Sequence, residues 1–160
     1  MPRNMGQNTV LKYVLRLFGS GRLPSEGRRV MEAENCQFLA ESMIGTLVVH
    51  DARGPRQHKS TRRRWFLGSL AISSKRLLVY RYGSCLLNVA FDDHRIRSID
   101  FSAETPGVLS IRHDLSLFHP ASSGDVDICF RTGEALRVCT TMASNVRRVK
   151  ARPSTRGPSR

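Results

Sequence analysis

Between residues 65 and 131 apolar and polar positions alternate in short runs separated by turn-forming residues, which predicts a series of antiparallel strands. The clearest run is Asp125 to Arg131, where Val126, Ile128 and Phe130 face one way and Asp125, Asp127 and Arg131 the other. Leu109 and Ile111 alternate with Ser110 and Arg112 in the same manner. Leu87, Val89 and Phe91 mark a strand from Cys85, and Ile99 and Phe101 point inward from another that starts near Ile96. Trp65 to Ile72 and Leu77 to Tyr82 read as a strand pair around Ser73-Ser74-Lys75-Arg76, and Ile44 to Val49 as a strand ending near His50. Residues 28–43 admit either a helical turn or an opening strand. Residues 115–124 read as a long loop in which Leu117 and Phe118 must find packing.

Elsewhere the period lengthens. Val10, Leu11, Val14, Leu15, Leu17 and Phe18 recur at helical spacing, with Asn8 or Thr9 as cap and Gly19 as stop, so a short amphipathic helix is expected near the N-terminus. Lys12 and Arg16 fall on its polar side, leaving packing on the domain or contact with a bilayer surface open. Residues 19–27 have the composition of a hinge. Ala135, Leu136, Cys139, Met142, Ala143 and Val146 trace one face of a C-terminal helix. A strand paired with residues 127–130 across Thr132-Gly133 competes with it, supported by Val138, Thr140 and Thr141. The expected plan is an N-terminal helix and linker over 1–27, a β domain with its helix over 28–149, and a disordered basic tail over 150–160.

The chain is mostly β: about six to seven strands joined in sequence and then a helix, compatible with a small antiparallel barrel or orthogonal sandwich capped by that helix. Its length of 160 residues suits one ordinary domain. The formal charge of +13 is distributed unevenly. Residues 65–146 hold eight basic and eight acidic side chains, whereas residues 53–64 and 147–160 each hold six basic and none acidic. A neutral body with concentrated basic appendages points to phosphates on a lipid bilayer or a polynucleotide. Residues 51–64 form a polar connection with Gly-Pro punctuation, expected as an exposed hairpin loop.

Other chemistry is hard to assemble. Cys36, Cys85, Cys129 and Cys139 contain no C-x-x-C pair, and three lie in apolar segments, so reduced, buried thiols in a reducing, cytoplasmic setting are expected. His50, His58, His94, His113 and His119 show no metal-ligand spacing. Ser73, Ser74 and Ser84 lack a nucleophile elbow, and Asp125 and Asp127 sit on a face marked as solvent. No apolar run is long enough to span a membrane. A non-enzymatic protein with neither metal nor cofactor is expected.

Residues Gly68-x-Leu70-x-Ile72-Ser73-x-Lys75-Arg76-Leu77-Leu78-Val79-Tyr80 resemble the strand, turn, strand phrase of pleckstrin-homology-like domains, especially bacterial and GRAM-type members. The resemblance covers roughly residues 44–146. The chain departs from the pattern at Ser73, where threonine is commoner, and in the longer separation of Phe91 from Ile96. In lipid-binding members of that family, the loop between the first two strands carries Lys and Arg that grip phosphorylated inositol headgroups. The resemblance therefore implies that Arg53, Arg56, Lys59, Arg62, Arg63 and Arg64 contact anionic phospholipid, making the protein a peripheral adaptor. Sequence-independent nucleic-acid binding through this segment and the tail is the alternative, with a protein-interaction scaffold as a third class. The strands are expected to show no exposed face on which basic and aromatic residues interleave.

Overall fold

A computed structural model describes residues 21–54, 57–59 and 61–151, with backbone alone at 57–59. The expected helix at 8–18 and most of the basic tail lie outside the described residues. Helix α1 spans Ser25–Ala33, starting behind Pro24 with Glu26 in its first turn. The expected hinge thus gives way to a helix from Ser25 onward, because Leu23 and Met31 have an apolar surface to bury against. The ambiguous stretch after it divides between the end of α1 and the start of the first strand.

Strand β1 is long, Cys36–Gly54, and serves as the spine. After β2 (Gln57–Lys59) come β3 (Arg62–Ser73), β4 (Arg76–Arg81) and β5 (Ser84–Ala90). A 3-10 turn at His94–Ser98, helped by the Asp93 carboxylate accepting from the Arg95 amide, fills the gap between Phe91 and β6 (Asp100–Ser102). Strand β7 (Val108–Asp114), a second 3-10 turn (Leu115–Leu117), β8 (Ser123–Arg131) and helix α2 (Ala135–Lys150) complete the described chain. The helical reading of the C-terminal segment is therefore the correct one, and the competing hairpin is excluded.

All pairings are antiparallel in the order β5-β4-β3-β1-β8-β7-β6, with β2 appended to the end of β1. The seven principal strands curl into a half-barrel. Beyond a register shift at its start between Cys36 and Phe38, two irregularities bend the spine: a shift between Ala40 and Met43 against β3, and another between His50 and Arg53 against β8. Ser42 and Asp51, beside these shifts, have φ of 54° and 49°. An extra residue on one strand bends it and increases its twist, which here rolls the sheet around its core.

The interior is built from Phe66, Leu70 and Ile72 of β3, Leu77 and Val79 of β4, Leu87 and Val89 of β5, Leu109 and Ile111 of β7, and Val126, Ile128 and Phe130 of β8. Ala135, Val138 and Met142 of α2 close one side. Phe66 lies over Gly45 and meets Phe130 edge-on at 5.4 Å between ring centroids, so the absence of a side chain at Gly45 makes room for the ring.

A second, smaller cluster lies on the outer wall, where Met31 of α1 and Leu23 just before the helix pack with Ala71 and Leu78. Strand β3 is consequently covered on both faces from Phe66 to Ser73. Ser73 anchors the turn that follows. Its hydroxyl donates to a Glu34 carboxylate oxygen at 2.9 Å and accepts from the amides of Lys75 and Arg76. Its carbonyl accepts from the Asn145 side-chain amide of α2 at 3.2 Å. One turn therefore joins both helices to the sheet.

Candidate functional site

The topology brings three connections to one end of the half-barrel: the hairpin after β1, the Tyr82-Gly83 turn between β4 and β5, and residues 115–122 between β7 and β8. Gly54 approaches Ser122, and Arg53 lies opposite Ser123, which fixes the first and third together. The Tyr82 amide donates to the Leu67 carbonyl and its hydroxyl to the Trp65 carbonyl at 3.1 Å, seating the second beside β3. These connections frame the mouth of the half-barrel.

The basic segment is not the loop that its composition predicts. Arg53 belongs to β1, opposite His58 of β2, and Lys59 has its backbone paired with Ala52. Arg62, Arg63 and Arg64 belong to β3, opposite Val49, Val48 and Leu47. Ladder hydrogen bonds join backbone groups whatever the side chains carry, so a polar stretch facing a β-branched partner continues the hairpin. Arg56 lies outside the described residues, as does the side chain of Lys59. The triplet is exposed.

Strand geometry divides the triplet. Successive side chains point to opposite faces, so Arg62 and Arg64 share the side of Phe66, while Arg63 shares the outer wall with Trp65. In β4, Arg81 has the parity of the core residues Leu77 and Val79 and pairs with Gly68, so it joins Arg62 and Arg64 around the mouth. Arg81 escaped sequence reasoning. The cluster Tyr80-Arg81-Tyr82-Gly83, a turn with a basic residue at its base, was the available signal.

On the outer wall the Arg63 guanidinium lies over the Trp65 ring, 5.4 Å from its centroid, and the Arg131 guanidinium approaches the same ring at 5.8 Å. Basic and aromatic side chains do interleave on one exposed face here, contrary to expectation. The signal was present in Arg63-x-Trp65, but Arg131 is remote in sequence and arrives only because β3 and β8 flank the same strand.

Arginines are paired with carboxylates at five positions of the fold, whereas Arg22, Arg29, Arg97, Arg131, Arg147 and Arg148 have no such partner among the described residues. Arg28 pairs with Glu41, Arg76 with Glu34, Arg95 with Asp93, Arg112 with Asp127 and Arg137 with Glu134. Among the described residues none of Arg53, Arg62, Arg63, Arg64 and Arg81 has a carboxylate at ion-pair distance. Asp51 and Asp125, close by in chain and register, pair with none of the five. Five arginines without a carboxylate partner thus belong to the strands at this end of the half-barrel, and Arg97 and Arg147 beside α2 are likewise unpaired.

Comparison with known proteins adds no relative: no protein-family model matches the chain, and no curated protein matches it.

The remaining chemistry is sparse. All four cysteines are free, but none is buried: Cys36 and Cys85 are exposed at strand starts, and Cys129 and Cys139 are half-buried. Partial burial pushes the Cys129 and Cys139 thiols up, which keeps them protonated and weakly nucleophilic. Among the described residues no three His, Cys, Asp or Glu gather as a metal site, and no helix is long and apolar enough to cross a membrane. A groove of about 430 Å³ runs between α2 and the segment from Ile96 to Phe101. Its floor is Ile96, Ile99, Phe101, Met142 and Val146, and Arg97, Arg147 and Lys150 stand on its rim.

Proposed function

We propose that the protein is a non-enzymatic binding module of the pleckstrin-homology-like type, a peripheral adaptor that meets anionic phospholipid headgroups through the end of its basic hairpin. One observation carries the reading: the exposed Arg53, Arg62, Arg63 and Arg64 and the half-buried Arg81, none with a carboxylate partner among the described residues, lie at one end of the half-barrel. The strand order and the helix that follows β8 are compatible with the family that the residues between Gly68 and Tyr80 resemble. Guanidinium forks donate paired hydrogen bonds to phosphate oxygens, and each basic side chain near an anionic leaflet contributes about 1 kcal/mol. Arg53, Arg62, Arg63, Arg64 and Arg81, with Arg56 and Lys59 beside them in the chain, supply several such contributions. Sedimentation with vesicles of phosphatidylcholine, with and without acidic phospholipid, tests it. Binding that requires the acidic lipid and weakens with salt is expected; equal recovery in both supernatants refutes it.

A second reading rests on the groove beside α2. Its apolar floor and three cationic rim residues complement a peptide that carries both apolar and acidic side chains, which would make the domain a protein-interaction scaffold. Retained vesicle binding in Arg97→Glu and Arg147→Glu variants, with loss of an acidic peptide ligand, would place the two activities at different surfaces.

A further inference from the structure

Alternation along β3 sends Arg63 to the opposite wall from Arg62 and Arg64, so no single headgroup seated in the mouth can engage all three. The outer wall must be explained separately. There Trp65, 42 % exposed, lies beside Arg63 and Arg131, and its carbonyl holds the hydroxyl of Tyr82, which is 44 % exposed. Tyr82 occupies a left-handed backbone position, and among the described residues nothing lies within 4 Å of a Cβ built at Gly83. Two large aromatic side chains and two guanidiniums are therefore displayed next to the mouth.

We propose that Trp65 is an interfacial anchor: its ring settles at headgroup depth in an anionic bilayer while Arg63 and Arg131 beside it contact lipid phosphates. The inference rests on the lipid reading and adds an orientation to it, with the N-terminal end of β3 directed at the membrane and headgroups on both of its faces. Tryptophan and tyrosine favour the boundary between hydrocarbon and water because they combine an apolar body with a polar N–H or O–H. Arginine, weakly hydrated and planar, can keep its contact with an aromatic face while its N–H groups meet phosphate. The alternative occupant of such a surface is a single-stranded nucleic acid, whose bases would stack on the ring. Guanidiniums already lie over that ring, which favours the bilayer.

Trp65 is the sole tryptophan of the chain, so intrinsic fluorescence reports on this position alone. The full chain is titrated with phosphatidylcholine vesicles containing phosphatidylserine and lipids nitroxide-labelled near the headgroup. A blue shift and strong quenching are expected on binding. Trp65→Ala should lower vesicle affinity about tenfold with an unchanged melting temperature. Arg63→Gln with Arg131→Gln should weaken binding and alter the emission of the free protein, whereas Arg62→Gln with Arg64→Gln should weaken binding alone. Co-sedimentation with unchanged Trp65 emission overturns the anchor and leaves the lipid reading standing. Absence of co-sedimentation overturns both. Quenching by a single-stranded oligonucleotide at physiological salt, without a response to vesicles, overturns both in favour of nucleic acid.

Discussion

Ser73 at the end of β3 donates its hydroxyl hydrogen to a Glu34 carboxylate oxygen 2.9 Å away, across 39 residues of sequence. The same carboxylate receives the Arg76 guanidinium at 2.8 Å, so a buried hydroxyl, an acid and a base form one network under the turn. Ser73→Ala removes the acceptor of two backbone amides as well as the donor to Glu34. Leaving buried polar groups unmatched costs about 1–3 kcal/mol, and chemical denaturation should show a loss of that size. Threonine, which keeps the hydroxyl, should restore most of it.

Ser69 offers the opposite case. Its hydroxyl oxygen is fully buried and has no hydrogen-bond partner among the described residues. Ser69→Ala eliminates an unsatisfied group at little loss of packing, so stability should be unchanged or raised by about 1 kcal/mol. A clear fall in the denaturation midpoint would show that the hydroxyl has a partner after all.

Stability should also depend on His113. Burial against the residues after β7 pushes its imidazole pKa below the ordinary value, opposed by the Asp114 carbonyl and carboxylate and reinforced by His119. The ring donates from Nδ1 to the Asp114 carbonyl at 2.8 Å and meets Phe118 edge-on at 5.1 Å. The unfolded chain takes up its proton near the usual value of about 6.5, before the folded one does. The contribution is thus fully present above that pH and is lost as pH falls toward and through the lower folded value. Melting temperatures measured from pH 7.5 down to 5 should decline, and His113→Gln should flatten that part of the curve.

Charge removal at the hairpin should separate binding from folding. Arg62→Gln, Arg63→Gln and Arg64→Gln act on exposed side chains without carboxylate partners, so each should alter stability by no more than about 0.5 kcal/mol. Vesicle binding, by contrast, should fall at least tenfold and lose part of its salt dependence. A melted triple variant would mean that the arginines hold the hairpin together.

Close approach at Gly68 gives a structural test. A Cβ built there would collide with the Tyr80 carbonyl oxygen. Gly68→Ala must therefore push β4 away from β3 or displace Phe66, and a loss of about 1–3 kcal/mol is expected in thermal or urea unfolding.

The sequence reveals the strands that bury one face and hides those that bury two. Asp125 to Arg131 alternates cleanly because one wall of β8 meets the core and the other meets Ser110 and Arg112. Strand β3 shows no such period, since Leu67, Ser69 and Ala71 are buried on its outer face, Ala71 beneath Leu23 and Met31, while the core takes Phe66, Leu70 and Ile72. Helix α1 was obscured by glycine and proline at its entry, although Pro24-Ser25-Glu26 is a reasonable helix start. At the basic segment, composition located the charge correctly. It could not show that the residues form strands, that Arg63 faces away from its neighbours, or that Arg81 and Arg131 join them, because these depend on register between distant segments.

Among the described residues only β1 carries ladder hydrogen bonds to both the β3-β4-β5 half of the sheet and the β8-β7-β6 half, and no β5 to β6 ladder closes the circle. The two halves nevertheless share one interior: Phe66 of β3 meets Phe130 of β8, and Asn145 of α2 holds the Ser73 carbonyl at the end of β3. The kinks beside Ser42 and Asp51 set the aperture. Arg64 and Arg81 on one side and the residues after β7 on the other are therefore held apart by packing of the interior rather than by hydrogen bonds between the edge strands.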